Sequence, residues 1–330
     1  MASHTSKGVV YAALIGNALI AVTKFIAASL TGSAAMLSEA IHSVVDTGNQ
    51  FLLLLGIRTA AKPPSAKHPF GYGLQLYFYT FVVAVLIFGG GAVAAIMRGI
   101  AEIQNPSSVE DPWVNYIVLG ISVVFEAVVW GVALRSFNTE RAGRTWLQAI
   151  RASKDPTVFT VLFEDTAALL GLIVTFLGIF LSEHLEMPIL DGMASIGIGL
   201  ILTMTAVFLA ARSRSLLTGE AASHDTRLGI NRIARATPGV VGLNQALTMH
   251  FGPNDVFVAL SLDFEDALPA SEVERIVTHI ERTIKAAHPD VTRVFIEAQS
   301  FDADRRGGAP APPPLNQKGA GISVPPLGSD

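Results

Sequence analysis

Up to about residue 212 the chain is a succession of long apolar runs with few charges inside them; after it, apolar and polar residues alternate over short distances. Six runs, at about residues 9–31, 35–57, 76–98, 113–134, 157–181 and 189–211, have the length of a membrane-spanning helix, because a hydrocarbon core about 30 Å thick takes about 20 residues rising 1.5 Å each. From residue 220 the periods are those of a water-soluble fold. Asp225 to Thr237 reads as a helix stopped at Pro238, and Leu243–Phe251 and Val256–Phe264 as strands around the turn Gly252-Pro-Asn-Asp255. Ser271 is placed to cap a helix running to Ala287, with Glu274 completing a capping box, and Val291–Ala298 reads as a last strand. The expected fold is a polytopic α-helical membrane protein with six transmembrane helices over residues 1–212 and an α+β (αββαβ) cytoplasmic domain over 213–301, with its helices on one face of a mixed sheet. Residues 302–330 form a tail rich in Pro, Gly and Ala with too few apolar residues to fold.

The charges between the spans set an orientation. Arg58, Lys62 and Lys67, then Arg135, Arg141, Arg144, Arg151 and Lys154, then Arg212 and Arg214 fall on one side; Glu102, Glu110, Asp111, Glu183 and Glu186 fall on the other, with Arg98 at a helix end. The basic side is expected to face the cytoplasm, and an even number of spans places both termini there. The segment Met1–Lys7 lacks a basic region of the signal-peptide kind and the run behind it is too long for a signal core, so it is read as retained. With 51% hydrophobic residues, 15% charged residues and a net charge of −4, the chain has no basic stripe suited to nucleic acid. It has no cysteine, which excludes disulfides, thiolate metal sites and a cysteine nucleophile, and leaves His, Asp and Glu as its strong metal ligands.

One span contains what an apolar helix should not. The stretch Met36–Gly56 carries His42 and Asp46 four residues apart, hence on one side of a helix at metal-ligand spacing. Ionisable groups at membrane depth point to function, and their partner must be found elsewhere. Lys24 in the first span is read as reaching back to the interface, and Asp191 at the start of the sixth as complementing that helix's dipole. The fifth span differs, with Glu164 and Asp165 adjacent and well inside it. At 1.5 Å per residue Asp46 lies roughly 16 Å below the outer edge, and the two carboxylates roughly 12–14 Å above the inner one, so they meet near the midplane. Three acids and one imidazole, with no basic residue on these two helices, repel unless protonated or bridged by a cation. One nitrogen and several oxygens suit Zn²⁺, with Fe²⁺, Co²⁺ and Mn²⁺ admissible and an all-oxygen Mg²⁺ or Ca²⁺ site disfavoured. Ligands that bind metal only when deprotonated couple metal release to proton uptake, which is antiporter chemistry. The small residues of Gly89–Ala95 and Gly192–Gly199 read as close helix packing, and Gly89-Gly-Gly is not a phosphate loop, because no Lys follows it.

These residues resemble the cation diffusion facilitator family of metal transporters. Thr31-Gly-Ser-Ala-Ala-Met-Leu-Ser-Glu-Ala-Ile-His-Ser-Val-Val-Asp46 is similar to its signature across the first loop and second span, His68-Pro-Phe-Gly-Tyr-Gly73 to the motif entering the third, and Asp191-Gly-Met-Ala-Ser-Ile-Gly-Ile-Gly199 to its sixth span. The likeness covers about residues 8–300, including a metallochaperone-like dimerisation domain. It implies a homodimer in the membrane, of a bacterial inner (plasma) membrane type, that exports a cytoplasmic divalent metal in exchange for protons by alternating access. The implied site takes two ligands each from spans two and five: His42 and Asp46 match directly. In span five Asp165 aligns with the family's Asp, whereas Val161 stands where the family usually has His. Glu164 is the substitute ligand, as in a subgroup with Glu-Asp at this point. By helical phase Glu164 heads the small-residue stripe Ala168, Gly171, Thr175 and Gly178, and Asp165 heads Leu169, Leu172 and Phe176; Asp165 is ranked barely above Glu164. Only His68 matches the extra ligands that zinc exporters carry before span three. In the cytoplasmic domain the family's zinc-binding histidines align with Asn244, Ser261 and Glu297, while His250, His279 and His288 are read as surface histidines. The domain is therefore expected to dimerise without that cluster, and tight stoichiometric zinc on it contradicts this.

No resident cofactor and no enzymatic activity are expected. An intramembrane aspartyl protease is the competing class, but Ile189 and Leu190 precede Asp191-Gly192 and break its pattern, and no His-Glu-x-x-His is present. A metal sensor is the third class, with no signalling motif to support it.

Overall fold

The first two spans are joined by a turn that the sequence writes out as Thr31-Gly-Ser. In the computed structural model, which describes residues 4–106, 112–140, 143 and 145–300, Gly32 adopts a φ of 68° and its N–H bonds to Ala28 O, closing helix α1 (His4–Thr31). A left-handed residue of this kind is inexpensive only for glycine. Ser33 then caps α2 (Ala34–Ala60), its Oγ accepting from Met36 N at 3.1 Å. The third span is α3 (Leu74–Leu86), a π-helical turn over Ile87–Ala92 that contains the three glycines, and α4 (Val93–Gln104). α5 (Pro112–Glu140), α7 (Pro156–His184) and α8 (Ile189–Leu217) are the fourth, fifth and sixth.

The expected boundaries need adjusting. The third helical span runs over Leu74–Gln104 rather than 76–98, and α8 continues past 211 to Leu217. A short helix not expected from the sequence, α6 (Trp146–Ala152), lies between the fourth and fifth spans, with Thr145 and Gln148 forming its capping box. Arg141 and Arg144 of the basic loop, and the 302–330 tail, lie outside the described residues.

The chain separates into two compact units, Met1–Thr218 and Gly219–Asp330. In the first, Leu74–Gln104, Trp113–Thr139, Phe159–His184 and Ile189–Leu217 are long and apolar enough to cross a membrane by length and composition, and α1 adds the shorter apolar stretch Gly16–Thr31. α2 is not among them, because one side of it is polar. α2 packs against α1, α3, α7 and α8. Val124, Val128, Met204 and Val207 stand exposed, as suits a surface that meets hydrocarbon. α4 and α8 cross at backbone contact: a Cβ on Gly99 would meet Gly192 O at 2.5 Å, and one on Gly199 would meet Ala92 O at 2.9 Å. The small residues are thus the crossing surface that lets these helices approach.

The second unit runs α9 (His224–Ala236), β1 (Val240–Gly252), β2 (Asp255–Phe264), α10 (Ala270–Ala287), β3 (Val291–Ala298). β1 pairs antiparallel and β3 parallel with the central β2, giving the expected mixed sheet. Val256, Val258, Leu260 and Leu262 of β2 alternate onto the face covered by Ile230 of α9 and Ile276, Ile280 and Ile284 of α10. The Ser271 capping box does not form: α10 begins at Ala270 behind Pro269, with no side-chain cap, so Ser271 is already inside the first turn.

Candidate metal site

α2 turns a continuous polar stripe into the bundle. Glu39, His42, Asp46 and Asn49 follow one another at helical spacing, with Ser43 and Gln50 beside them, and all are buried. Two facts fix the helix that carries them. Asp191, at the start of α8, accepts from Ala34 N at 2.5 Å, Ala35 N at 3.2 Å and Ser33 Oγ at 2.8 Å. It caps α2 and not, as the sequence suggested, its own helix; those amides are the orphan donors every helix start leaves. One turn on, Ser38 Oγ meets Ser195 Oγ at 2.5 Å, and Ser195 Oγ donates to Ala95 O at 2.8 Å, joining α2, α8 and α4.

His42 Nδ1 and Asp46 Oδ1 are 3.4 Å apart, close enough for an ion pair but not in hydrogen-bond geometry. Opposite them α7 presents Glu164 and Asp165, 4% and 5% exposed. The Glu164 stripe, Ala168, Gly171, Thr175 and Gly178, is buried throughout; the Asp165 stripe emerges at Phe176, which is exposed. Asn49 Nδ2 donates to Glu164 Oε1 at 2.9 Å, the direct link between the two helices. Asp46 lies within electrostatic range of Glu164, Asp165 and Glu126. Both ring nitrogens of His42, Asp46 Oδ1 and Asp165 Oδ2 are buried without a hydrogen-bond partner. Buried polar atoms are ordinarily satisfied, so a set of unsatisfied donor atoms on two facing helices is what a cation would complete. Among the described residues no three His, Asp or Glu groups stand close enough together to share an ion, so the four residues form two facing pairs and not a closed tetrahedron.

Three ionisable residues change the picture drawn from sequence. Lys24 does not reach an interface: it is completely buried, and its Nζ donates to Glu39 Oε2 at 3.0 Å and Ser43 Oγ at 2.9 Å. Glu39 and Glu126 were missed. Glu39 is as buried as its partner and lies against the backbone of α7 at Gly171. Glu126, in the middle of α5 and 3% exposed, is in electrostatic range of Asp46, Asp165 and Lys24. The signal for Glu126 was present as a single acid in the centre of an apolar run.

Elsewhere, His68 lies against Tyr72 with ring centroids 4.4 Å apart and the rings tilted by 35°, in a loop closed by reciprocal Ser65–His68 backbone bonds. In the second unit, Asn244 Nδ2 donates to Ser261 Oγ at 3.4 Å and to Gln299 O at 2.8 Å, and Ser261 Oγ to Gln299 Oε1 at 3.4 Å, so hydrogen bonds occupy two of the three positions aligned with histidines. His279 is exposed and His288 half-buried, but His250 is buried, its Nδ1 3.1 Å from Gly252 O; it is not a surface histidine.

Comparison with known proteins bears on this arrangement directly. Residues 10–218 match the family described as the cation efflux transmembrane domain, and residues 222–300 the cation efflux protein cytoplasmic domain. The chain is 29% identical over 296 residues to the human proton-coupled zinc antiporter SLC30A9, mitochondrial, covering 89% of this chain and 48% of that one. It therefore spans about half the length of that relative. Metal tolerance protein C4 of Arabidopsis thaliana is 30% identical over 261 residues (78% and 57% of the two chains), and the cation-efflux pump FieF of Escherichia fergusonii 28% over 288 residues (84% and 91%). Both units being matched in order, the chain belongs to the cation efflux, or cation diffusion facilitator, family of integral membrane proteins.

Proposed function

We propose that this protein exports a divalent metal from the cytoplasm in exchange for protons by alternating access, with Zn²⁺ as the leading cargo. The observation that carries the reading is the facing of His42 and Asp46 by Glu164 and Asp165, with buried donor atoms left unsatisfied on both helices. The names of the relatives, a proton-coupled zinc antiporter and a cation-efflux pump, support it. In this reading the four side chains are the ligands. Each accepts the metal only without its proton, so loading from the cytoplasm releases protons and unloading takes them up again. Carboxylates in an apolar bundle repel unless a cation or protons sit among them, which makes the two occupants alternatives. A single nitrogen among the ligands makes the site richer in oxygen than a two-histidine zinc site and brings Fe²⁺, Co²⁺ and Mn²⁺ within its range.

The basic loops support a topology with both ends of the bundle facing the cytoplasm, in an inner (plasma) membrane if the chain is bacterial. The second unit is the surface for a second copy. Leu247, Ala259 and Phe295 form a row across β1, β2 and β3, with Leu247 and Phe295 exposed. An apolar row on the face opposite α9 and α10 suits a homodimer contact.

The test is zinc flux into proteoliposomes with and without an imposed pH gradient. The wild type transports zinc and collapses the gradient as it does so. Asp46→Ala abolishes both while eluting as a monodisperse protein. Undiminished flux in that variant refutes the site, and zinc flux indifferent to the gradient refutes proton exchange.

A further inference from the structure

Glu164 occupies a place where a shorter or stiffer ligand would hold its own position. A glutamate has one more rotatable bond than an aspartate, and as a metal ligand it needs something to fix it. Asn49 does this. It follows Asp46 by three residues and His42 by seven, so the three side chains lie on one line of α2. Its side chain is fully buried, and Nδ2 donates to Glu164 Oε1 at 2.9 Å. A carboxylate can only accept, so the amide must turn its nitrogen to Glu164 and its oxygen away. Asn49 Oδ1 is accordingly buried with no partner, as are Asp46 Oδ1 and both nitrogens of His42 on the same line. An amide in such a place is costly unless both its ends are used. One end is used by Glu164, and the other is a neutral oxygen of the sort that hard divalent cations accept.

We propose that Asn49 is a positioning and specificity-determining residue: it holds Glu164 as an α7 ligand beside Asp165, in place of the ring that Val161 cannot supply, and it offers its own amide oxygen to the metal. This rests on the reading that His42, Asp46 and the α7 carboxylates carry the cargo. It also separates the two α7 acids. Glu164 is anchored across the helix interface, whereas Asp165 has its Oδ2 unpartnered and lies within electrostatic range of both Asp46 and Glu126 of α5. Removing the anchor leaves the charges in place but lets Glu164 leave the cargo. Because the amide oxygen matters more to an oxygen-preferring ion, its loss weakens Mn²⁺ more than Zn²⁺.

The experiment measures KM and maximal rate for zinc and for manganese in proteoliposomes of the full chain. In Asn49→Ala, losing one charge-assisted hydrogen bond raises the zinc KM about tenfold, with maximal rate nearly unchanged and the manganese KM raised further. Asn49→Asp sets two carboxylates against each other and suppresses flux, as does Glu164→Gln, which removes a charge. The pair Asn49→Asp with Glu164→Gln restores the hydrogen bond with its donor and acceptor exchanged and the same net charge, and recovers flux well above either single variant. A zinc KM unchanged in Asn49→Ala, an equal rise for both metals, or a double variant no better than the singles overturns the proposal. Asp46→Ala is run alongside: if it is inactive while Asn49→Ala is normal, this inference alone fails, and if it is fully active, the reading beneath it fails.

Discussion

Replacing Lys24 with methionine keeps most of the side-chain stem and deletes the ammonium, which isolates the contribution of one charge pair. Both partners have side chains at 0% exposure, with Lys24 Nζ 3.0 Å from Glu39 Oε2. Glu39 Oε1 already has no hydrogen-bond partner, so the variant leaves a buried carboxylate without its counter-charge. Breaking a buried pair from one side destabilises by about 3–5 kcal/mol, because the remaining charge keeps its desolvation penalty and loses its compensation. Removing both charges, in Lys24→Met with Glu39→Gln, removes the penalty along with the attraction. The double variant should then sit within about 1–2 kcal/mol of wild type, far less destabilised than the sum of Lys24→Met and Glu39→Gln, each of which strands a buried charge. The assay is thermal unfolding of the full chain in detergent, followed by its tryptophan fluorescence. At about 2–4 °C per kcal/mol for a unit of this size, Lys24→Met melts on the order of 10 °C below wild type, and the double variant recovers most of that. A single variant that melts with wild type, or a double variant that melts at the sum of the two singles, refutes the reasoning.

Two further perturbations follow from the contacts that hold α2 and α8. Asp191→Ala leaves the amides of Ala34 and Ala35 without their acceptor and should cost about 1–2 kcal/mol, read as a lower melting temperature that Asp191→Asn partly restores; no change would mean that water replaces the cap. Gly99→Val puts a side chain where a Cβ already lies 2.5 Å from Gly192 O, so α4 and α8 must separate, and the expected result is loss of monodisperse protein on purification; a variant that purifies like wild type contradicts the close crossing.

The half of the candidate site on α2 was legible because His42 and Asp46 break an apolar run, and the acids that face it from α7 because depth along a helix can be counted. Which of the two adjacent acids is hydrogen-bonded to α2 was not, since neighbours 100° apart on a helix are told apart by what packs on them, here Asn49 on Glu164. Asn49 and Gln50 carry no charge and so do not stand out in the run as His42 and Asp46 do. Lys24 was misread for a different reason: an isolated lysine in a span has an easy exit along its stem, whereas its partner, Glu39, lies on another span. Yet the turn at Gly32 puts Lys24 and Glu39 at almost equal distances from it, hence at the same level of a helical hairpin. The pairing was available from that symmetry. The missing capping box at Ser271 shows the converse, a correct local signal overruled when Pro269, with its fixed φ, starts the helix first.

The clasp of Asp191 on the first residues of α2 makes that helix a lever with its fulcrum at Ser33. At 1.5 Å per residue Asp46 lies about 20 Å down the arm, so a swing of about 10° carries its carboxylate about 3 Å. A metal–oxygen bond is about 2 Å long and does not survive such a displacement. A change of helix tilt too small to disturb the fastened end is therefore enough to make or break the proposed ligand set at the other.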